Sequence, residues 1–295
     1  MKSHQDKVAF ITGAASGIGR ALATTCLEHG MAVVAADRDA SALARLAAEH
    51  PSTEHCLLTL HCDVTADGAL AEAALRAEDA FGPVNLLINN AGAFANGGVG
   101  DLTLPQWRRL LEINLLATVA GVEAFLPQLE RTTGAAHILN VASVAGHAGF
   151  AGLAAYCSSK HAVVGYSEAL HHELQPKAIG VSVLCPGFVN TSILDNQLTP
   201  KGSADDTLRE AVAAGMSPQA VAAHALAEVW ANPLFIFSHP GTEQEVTERQ
   251  PHIQSAFLAA GESPTIGNDP DAQRQASREA TQKMQPAEVS GKIRS

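Results

Sequence analysis

The order of apolar runs constrains the fold of this chain more than any other feature. Val8-Ala9-Phe10-Ile11, Met31 to Ala36, Cys56 to Cys62, Leu86-Leu87-Ile88, Ala136 to Val141, Ile179 to Leu184 and Leu234 to Phe237 are short, apolar and strand-like. The segments between them, 20–30, 40–50, 66–80, 105–131, 153–175 and 219–230, carry apolar residues at helical spacing. Gly30 closes the first of these helices, and Ser217-Pro218 opens the last. Strict alternation of strand and helix predicts an α/β fold, a doubly wound parallel sheet in a three-layer, Rossmann-like αβα arrangement. With 46% hydrophobic residues in 295, a single large core is within reach, and no internal repeat divides it. The expected organisation is one domain over 1–240, including a polar, irregular lid over about 188–217, followed by an extension over 241–295. In that extension 243–259 predicts a helix, and 261–295 is too poor in apolar residues to pack by itself, which predicts a flexible or loosely docked tail.

In such sheets ligands bind at the carboxyl ends of the strands. The first strand runs into Thr12-Gly13-Ala14-Ala15-Ser16-Gly17-Ile18-Gly19, where glycines let backbone N–H groups and a helix N-terminus approach a pyrophosphate. The spacing is G-x-x-x-G-x-G, unlike the usual dinucleotide fingerprint. The second strand ends at Asp37, placed to bond adenosine ribose hydroxyls and to repel a 2'-phosphate, although Arg38 beside it could attract one. NAD is favoured over NADP on that charge argument, and a helix cap is the competing role for Asp37. Asp63-Val64 could flank an adenine, with Asp63 alternatively capping the next helix. Asn89-Asn90-Ala91-Gly92 suits a tight turn beside a ligand. Helix 105–131, with Pro127 as a candidate bend, carries Asn114 among apolar residues, as a structural anchor or as a link in a proton path.

Tyr156 and Lys160 lie four apart on one helix face, so the ammonium could lower the phenol's pKa and make it a proton carrier. A plain surface Tyr/Lys pair is the competing reading. Ser143 follows the fifth strand at a glycine-rich turn, where its hydroxyl could reach a substrate oxygen.

Composition excludes several classes. A net charge of -11 without a basic cluster argues against nucleic acid, and no membrane span is expected because no apolar run approaches the roughly 20 residues needed. Five cysteines without a C-x-x-C pair, and no signal-type segment at the N-terminus, fit a reducing, cytoplasmic setting. Thirteen histidines form no metal-ligand spacing, so they are assigned to surface or pocket positions and no metal is expected.

The ordered set T-G-x-x-x-G-I-G, Asp63-Val64, N-N-A-G, Asn114, Ser143, Y-x-x-x-K and P-G-x-V-x-T, spanning about residues 7 to 237, closely resembles the classical short-chain dehydrogenase/reductase family. The resemblance implies a catalytic tetrad of Asn114, Ser143, Tyr156 and Lys160. It implies cofactor contacts from Thr12, Gly13, Ser16, Gly17, Ile18, Gly19, Asp37, Arg38, Asp63, Val64, Asn90, Ala91, Gly92, Tyr156, Lys160, Pro186, Gly187, Val189 and Thr191. The implied reaction is reversible hydride transfer between NAD(P) and a secondary alcohol or ketone, as a homodimer or homotetramer.

Phe94, Ser143, Val144, His147, Phe150, Leu153, Phe188, Ile193 and Leu194 are assigned to the substrate pocket by closeness in sequence, with ordinary core packing as the competing role of the apolar ones, Val144 and Leu153 above all, and their apolar character favours a bulky hydrophobic or aromatic substrate. His147 is taken as a surface loop residue, with donation to a substrate carbonyl as the alternative. A dihydrodiol or hydroxysteroid dehydrogenase is the rival within the enzymes, and a non-catalytic nicotinamide-binding scaffold the rival outside them. Two features set the chain apart. It reads Phe237-Ser238-His239-Pro240-Gly241 where many family members have a glycine-rich end that supports tetramer contacts. The stretch 222–257 is loosely similar to short-chain dehydrogenases that oxidise lignin-derived aryl ethers.

Overall fold

The computed structural model describes residues 6–53, 55–199, 206–262 and 270–284. Two compact units divide the chain, 1–240 and 241–295. The first holds β1 (Val8–Thr12), α1 (Gly17–Glu28), β2 (Ala32–Asp37), α2 (Ala40–Glu49), β3 (Leu57–His61), α3 (Ala69–Phe81) and β4 (Leu86–Asn89). It continues through α4 (Leu104–Leu111), α5 (Ala117–Arg131), β5 (Ala136–Val141), α6 (Ala154–Leu174), β6 (Ile179–Leu184), α7 (Asp206–Ala213), α8 (Pro218–Val229) and β7 (Phe235–Ile236).

Seven strands pair in the order β3-β2-β1-β4-β5-β6-β7, every pairing parallel. Side chains alternate across β1, so Ala9 and Ile11 enter one core cluster while Val8 and Phe10 enter the other, on the opposite face. Helices cover both faces, which is why the strands are apolar runs rather than alternating ones. Phe10 stacks on Phe125 of α5 with ring centroids 4.2 Å apart. Burying each ring contributes about 1.5–3 kcal/mol, enough to fix α5 against the sheet. Register then brings the carboxyl ends of the central strands to one edge, Ile11 beside Ile88 and Ile88 beside Leu139.

α4 and α5 form one continuous helix. Thr103 opens it with a reciprocal capping box, and Glu112–Leu116 winds as a π-turn between the two halves. Pro127 lies inside α5, but the irregularity in this helix is the π-turn around Asn114, which hydrophobic periodicity does not signal. This 28-residue helix has the length and composition to cross a membrane, a test that a buried core helix also passes, and Val122, Phe125 and Leu129 on it are buried in the core. Gly121 lets α5 lie against β4, because a Cβ there would strike the Asn89 carboxamide. Asn89 in turn donates to Asn140 Oδ1 at 2.9 Å, and Asn140 donates to Ser167 Oγ at 2.9 Å.

The stretch 192–216 is more regular than its polar composition suggests. Ser192–Asn196 is a 3-10 turn and α7 follows; 200–205 lie outside the described residues. The second unit contains α9 (Glu243–Thr247), α10 (Arg249–Gly261) and α11 (Pro270–Met284), so the single helix expected over 243–259 is two. α11 replaces part of the expected tail with an exposed helix supported by its own pairs, Asp271 with Arg274 at 3.4 Å and Gln275 with Glu279 at 3.0 Å. Residues 263–269 and 285–295 of that tail lie outside the described residues.

Candidate functional site

The turns after β1 and β4 are locked together by two side chains. Thr12 Oγ1 accepts from the amides of Asn90 and Ala91, both at 3.0 Å. Asn90 Nδ2 returns bonds to the carbonyls of Thr12 at 2.9 Å and Gly13 at 3.1 Å. Both residues therefore build the wall of the cleft. Gly13 and Gly17 have φ of +65° and +53°, in the left-handed region glycine occupies freely. A Cβ at Gly19 would run into the Gly13 carbonyl and Asn90 Nδ2, and one at Gly13 would lie 2.9 Å from Ala91 Cα. The three glycines thus keep open a cradle at the N-terminus of α1. Its N-cap, exposed Ser16, makes no side-chain bond to the helix. Amide donors of the first turn remain for an anion.

From this cradle a cleft of about 1260 Å³ extends past Ala15, Asp37, Arg38, Asp63, Asn190 and Thr191. Asp37 accepts from the amides of Ala15 and Asp39, each at 3.0 Å. The cap of α2 is Asp39, which accepts from Ala42 N at 2.9 Å, so capping does not account for Asp37. Asp63 does not cap α3, whose N-cap is Gly68. Its carboxylate accepts from Thr65 Oγ1 at 2.7 Å and Thr65 N at 3.0 Å, which holds it below the usual carboxylate range. Arg109, unforeseen in the sequence, bonds Thr65 Oγ1 at 2.8 Å and stands 3.9 Å from Asp63. Ile18, Val64 and Ala91 are half-buried and Gly92 is exposed, while Pro186 and Val189, after β6, are buried.

Tyr156 and Lys160 on α6 are 8% and 4% exposed. Lys160 Nζ donates to Val141 O at 2.9 Å and stands 5.8 Å from the centroid of the Tyr156 ring. Burial pushes the phenol up to about 12, against an opposing pull from its hydrogen bond with Ser143. Burial also brings the Lys160 ammonium down to about 8. The lowering of the tyrosine expected from four-residue spacing is therefore outweighed: the ammonium is turned to a strand carbonyl, and desolvation dominates. Ser143 Oγ accepts from Ala145 N at 3.1 Å and donates to Pro186 O at 3.3 Å.

Asn114 faces the same place from the π-turn. Its Oδ1 accepts from Ala93 N at 2.8 Å, and its Nδ2 donates to Ala93 O at 3.1 Å and Ser159 Oγ at 2.9 Å. A Cβ at Gly92 would stand 3.5 Å from Asn114 Oδ1 and 3.6 Å from Lys160 Nζ, so the two side chains converge there. Ser159, which ties Asn114 to α6, lies three residues from Tyr156, a spacing that could have drawn attention to it.

The substrate side is apolar. Phe94, Ala145, Tyr156, Cys157, Leu194 and Val212 form one cluster, with Leu153, Ile193 and Leu208 against it. The Phe94 ring lies 4.9 Å from that of Tyr156. Leu198 N donates to Phe94 O at 2.9 Å, and Gln106 Nε2 donates to Leu198 O at 2.9 Å, tying Leu198 to the segment after β4 and to α4. Val144 is buried, while Phe150 and Phe188 are exposed. His147 is neither on the surface nor among these residues. It is buried, with Nε2 3.3 Å from Cys185 Sγ and its ring 5.2 Å from both Phe235 and Phe237, because the turn after Ser143 folds back onto β6 and β7. His137 is likewise buried, and burial brings it down to about 3. All five cysteines are free, and among the described residues no His/Cys/Asp/Glu group is placed to hold a metal.

A family model described as short chain dehydrogenase matches residues 7–201. The chain is 35% identical over 205 residues to 1-deoxy-11-beta-hydroxypentalenate dehydrogenase of Streptomyces exfoliatus, covering 69% of this chain and 74% of that one. A solved short chain dehydrogenase/reductase from Burkholderia phymatum in complex with NAD has a TM-score of 0.81 and 33% identity, over 87% of this chain and 97% of that one. The apo form of LigO from Sphingobium sp. strain SYK-6 has a TM-score of 0.78 and 26% identity, over 97% of this chain and all 100% of that one.

Proposed function

The chain belongs to the short-chain dehydrogenase/reductase family, and from that premise we propose reversible hydride transfer between a nicotinamide dinucleotide, preferably NAD, and a secondary alcohol or ketone with bulky apolar flanks. The observation that carries this reading is Tyr156: its phenol, hydrogen-bonded with Ser143, sits beside Phe94 in an apolar cluster while Lys160 stands behind it. The cleft fits the cofactor, because the Gly13, Gly17 and Gly19 cradle would be filled by any Cβ and the α1 N-terminus offers unbonded amides. Gly13 to Gly19 would hold the pyrophosphate, Asp37 the adenosine ribose, Asp63 and Val64 the adenine, and Lys160 and Thr191 the nicotinamide end. When bound, the nicotinamide accepts or supplies the hydride.

The chain's own work is then proton transfer and orientation. In oxidation, Tyr156 as phenolate takes the proton of the substrate hydroxyl while Ser143 Oγ bonds the same oxygen; in reduction the Tyr156 phenol gives its proton to that oxygen. Burial keeps the phenol protonated, which is the form that reduction uses. Asn114 holds Ala93, and with it the turn beside Lys160, and links Lys160 toward solvent. The Asp37 carboxylate disfavours a 2'-phosphate, and Arg38, lining the same cleft, is the group that would tolerate one. The apolar cluster favours aromatic or polycyclic substrates, and the hydroxypentalenate specificity named for the Streptomyces relative supports a bulky alcohol. A cytoplasmic homodimer or homotetramer completes the proposal.

Absorbance at 340 nm, with NAD or NADP and a panel of secondary alcohols from small aliphatic to aryl and steroid, tests the reading. NADH formation with a bulky alcohol is expected, and Tyr156→Phe should lower turnover by at least about a hundredfold with NAD binding retained. Near-normal turnover of that variant would refute the proton role. A protein that binds NAD yet turns over nothing would favour the scaffold reading.

A further inference from the structure

The turn that leaves β6, 186–191, forms one wall of the cleft, where Asn190 and Thr191 line it. Thr191 presses on the glycine cradle, since a Cβ at Gly17 would lie 3.1 Å from Thr191 Cγ2. The root of this turn is gripped by His239, in the Ser238-His239 pair that departs from the family's usual ending. Gly187 N donates to His239 Nδ1 at 3.1 Å. A backbone amide can only donate, so Nδ1 must present a lone pair, and the ring is neutral with its hydrogen on Nε2. That hydrogen is then donated to Phe188 O, 2.9 Å away. One imidazole thus holds the amide of Gly187 and the carbonyl of Phe188, and Ser238 Oγ stands 2.9 Å from Nδ1.

The contact also depends on Gly187. A Cβ there would stand 3.1 Å from both Cγ and Cδ2 of the His239 ring, closer than side chains ordinarily approach. Phe188 O accepts a second bond from Met216 N at 3.0 Å, and Asn190 N donates to Met216 O at 3.0 Å, so the clamp also sets the segment that leads into α8.

We propose that His239 is a positioning residue for the dinucleotide cleft: its neutral Nε2–H imidazole pins the 186–188 turn and so fixes where Val189 and Thr191 stand against the bound cofactor. The consequence for binding rests on the cofactor reading above; the ring geometry does not.

The test compares the full-length wild type with His239→Ala and His239→Asn, whose Oδ1 can replace Nδ1 as acceptor for Gly187 N. Long-range proton–nitrogen NMR of the histidine rings should show the Nε2–H tautomer for His239. Calorimetric titration with NAD should give a dissociation constant about five- to tenfold weaker for the alanine variant, the scale of one lost bond with its amide orphaned, and within about twofold for asparagine. At saturating NAD, kcat should stay within about twofold in both, with the loss appearing in the cofactor KM. An Nδ1–H ring or an imidazolium at neutral pH overturns the proposal. So does unchanged NAD affinity in His239→Ala, or an equal loss in both variants matched by equal falls in melting temperature. A wild type that binds no dinucleotide overturns the cofactor reading and this proposal with it, whereas a contrary tautomer overturns this one alone.

Discussion

Removing the Asn114 side chain tests whether the π-turn is built around it. Asn114→Ala would delete three bonds, at 2.8, 2.9 and 3.1 Å. Ser159 Oγ keeps its bond to Tyr156 O at 2.8 Å, so its loss is small. Ala93 is different, because it is 5% exposed and both its amide and its carbonyl lose their partner. Orphaning a buried backbone group costs about 1–3 kcal/mol, and water entering the space left by the carboxamide recovers part of that, which leaves roughly 2–4 kcal/mol. For a domain of this size each kcal/mol moves the melting temperature by about 2–4 °C, so a fall of roughly 5–15 °C is expected. Calorimetry reads the total, and hydrogen exchange at the Ala93 amide reads the place. A melting temperature within about 2 °C of wild type, or an Ala93 amide that exchanges as slowly as before, would refute the argument.

Gly19→Ala should weaken NAD binding by about 10–30-fold, because its Cβ displaces Asn90 from Gly13 and loses about two hydrogen bonds; calorimetric titration checks this, with circular dichroism expected to stay unchanged. Stability should depend on pH through the buried bases and thiols. Lys160, depressed to about 8, adds stability above its unfolded value and loses it as pH falls through 8, whereas Cys26, Cys62 and Cys185, raised to about 12, 11 and 12, lose theirs as pH rises from 9 toward those values. Urea unfolding at stepped pH from about 7 upward should therefore show stability rising to a maximum at about pH 8.5 and declining above it, and Lys160→Met should abolish that rise, leaving the one between about pH 3 and 6.5 that buried His137 gives.

The sheet was legible because each strand is a continuous apolar run ended by a turn residue; Ile179–Leu184 and Ala136–Val141 match the expected bounds residue for residue. The cradle and the Ser143, Tyr156, Lys160 grouping were legible for a related reason, since each lies at a strand's end or on one helix face. What escaped depends on partners distant in sequence or on weak local pattern. His147 is buried by Phe235 and Phe237, some ninety residues later, and nothing local announces that contact. α7 carries Leu208 and Val212 as an i, i+4 pair in an otherwise mostly polar stretch, too little apolar surface to stand out. The π-turn changes the winding without changing residue type. Asp37 and Asp39 both suit a cap, and only the hydrogen bonds tell which one caps α2.

The central position of β1 has a consequence for the order in which the chain is made. Of the strands in this sheet it is made first and can pair at once with β2, Val8 against Ala32, yet its other edge waits for β4, where Phe10 meets Leu87. Until β4 has emerged, an apolar strand with unpaired amides stands open along that side, and the half-sheet is exposed to pairing with the wrong chain. Closure must also span the whole of α2, β3 and α3, which places this protein among slow, non-local folders. A nascent chain halted before residue 86 should therefore be the form that holdase chaperones retain.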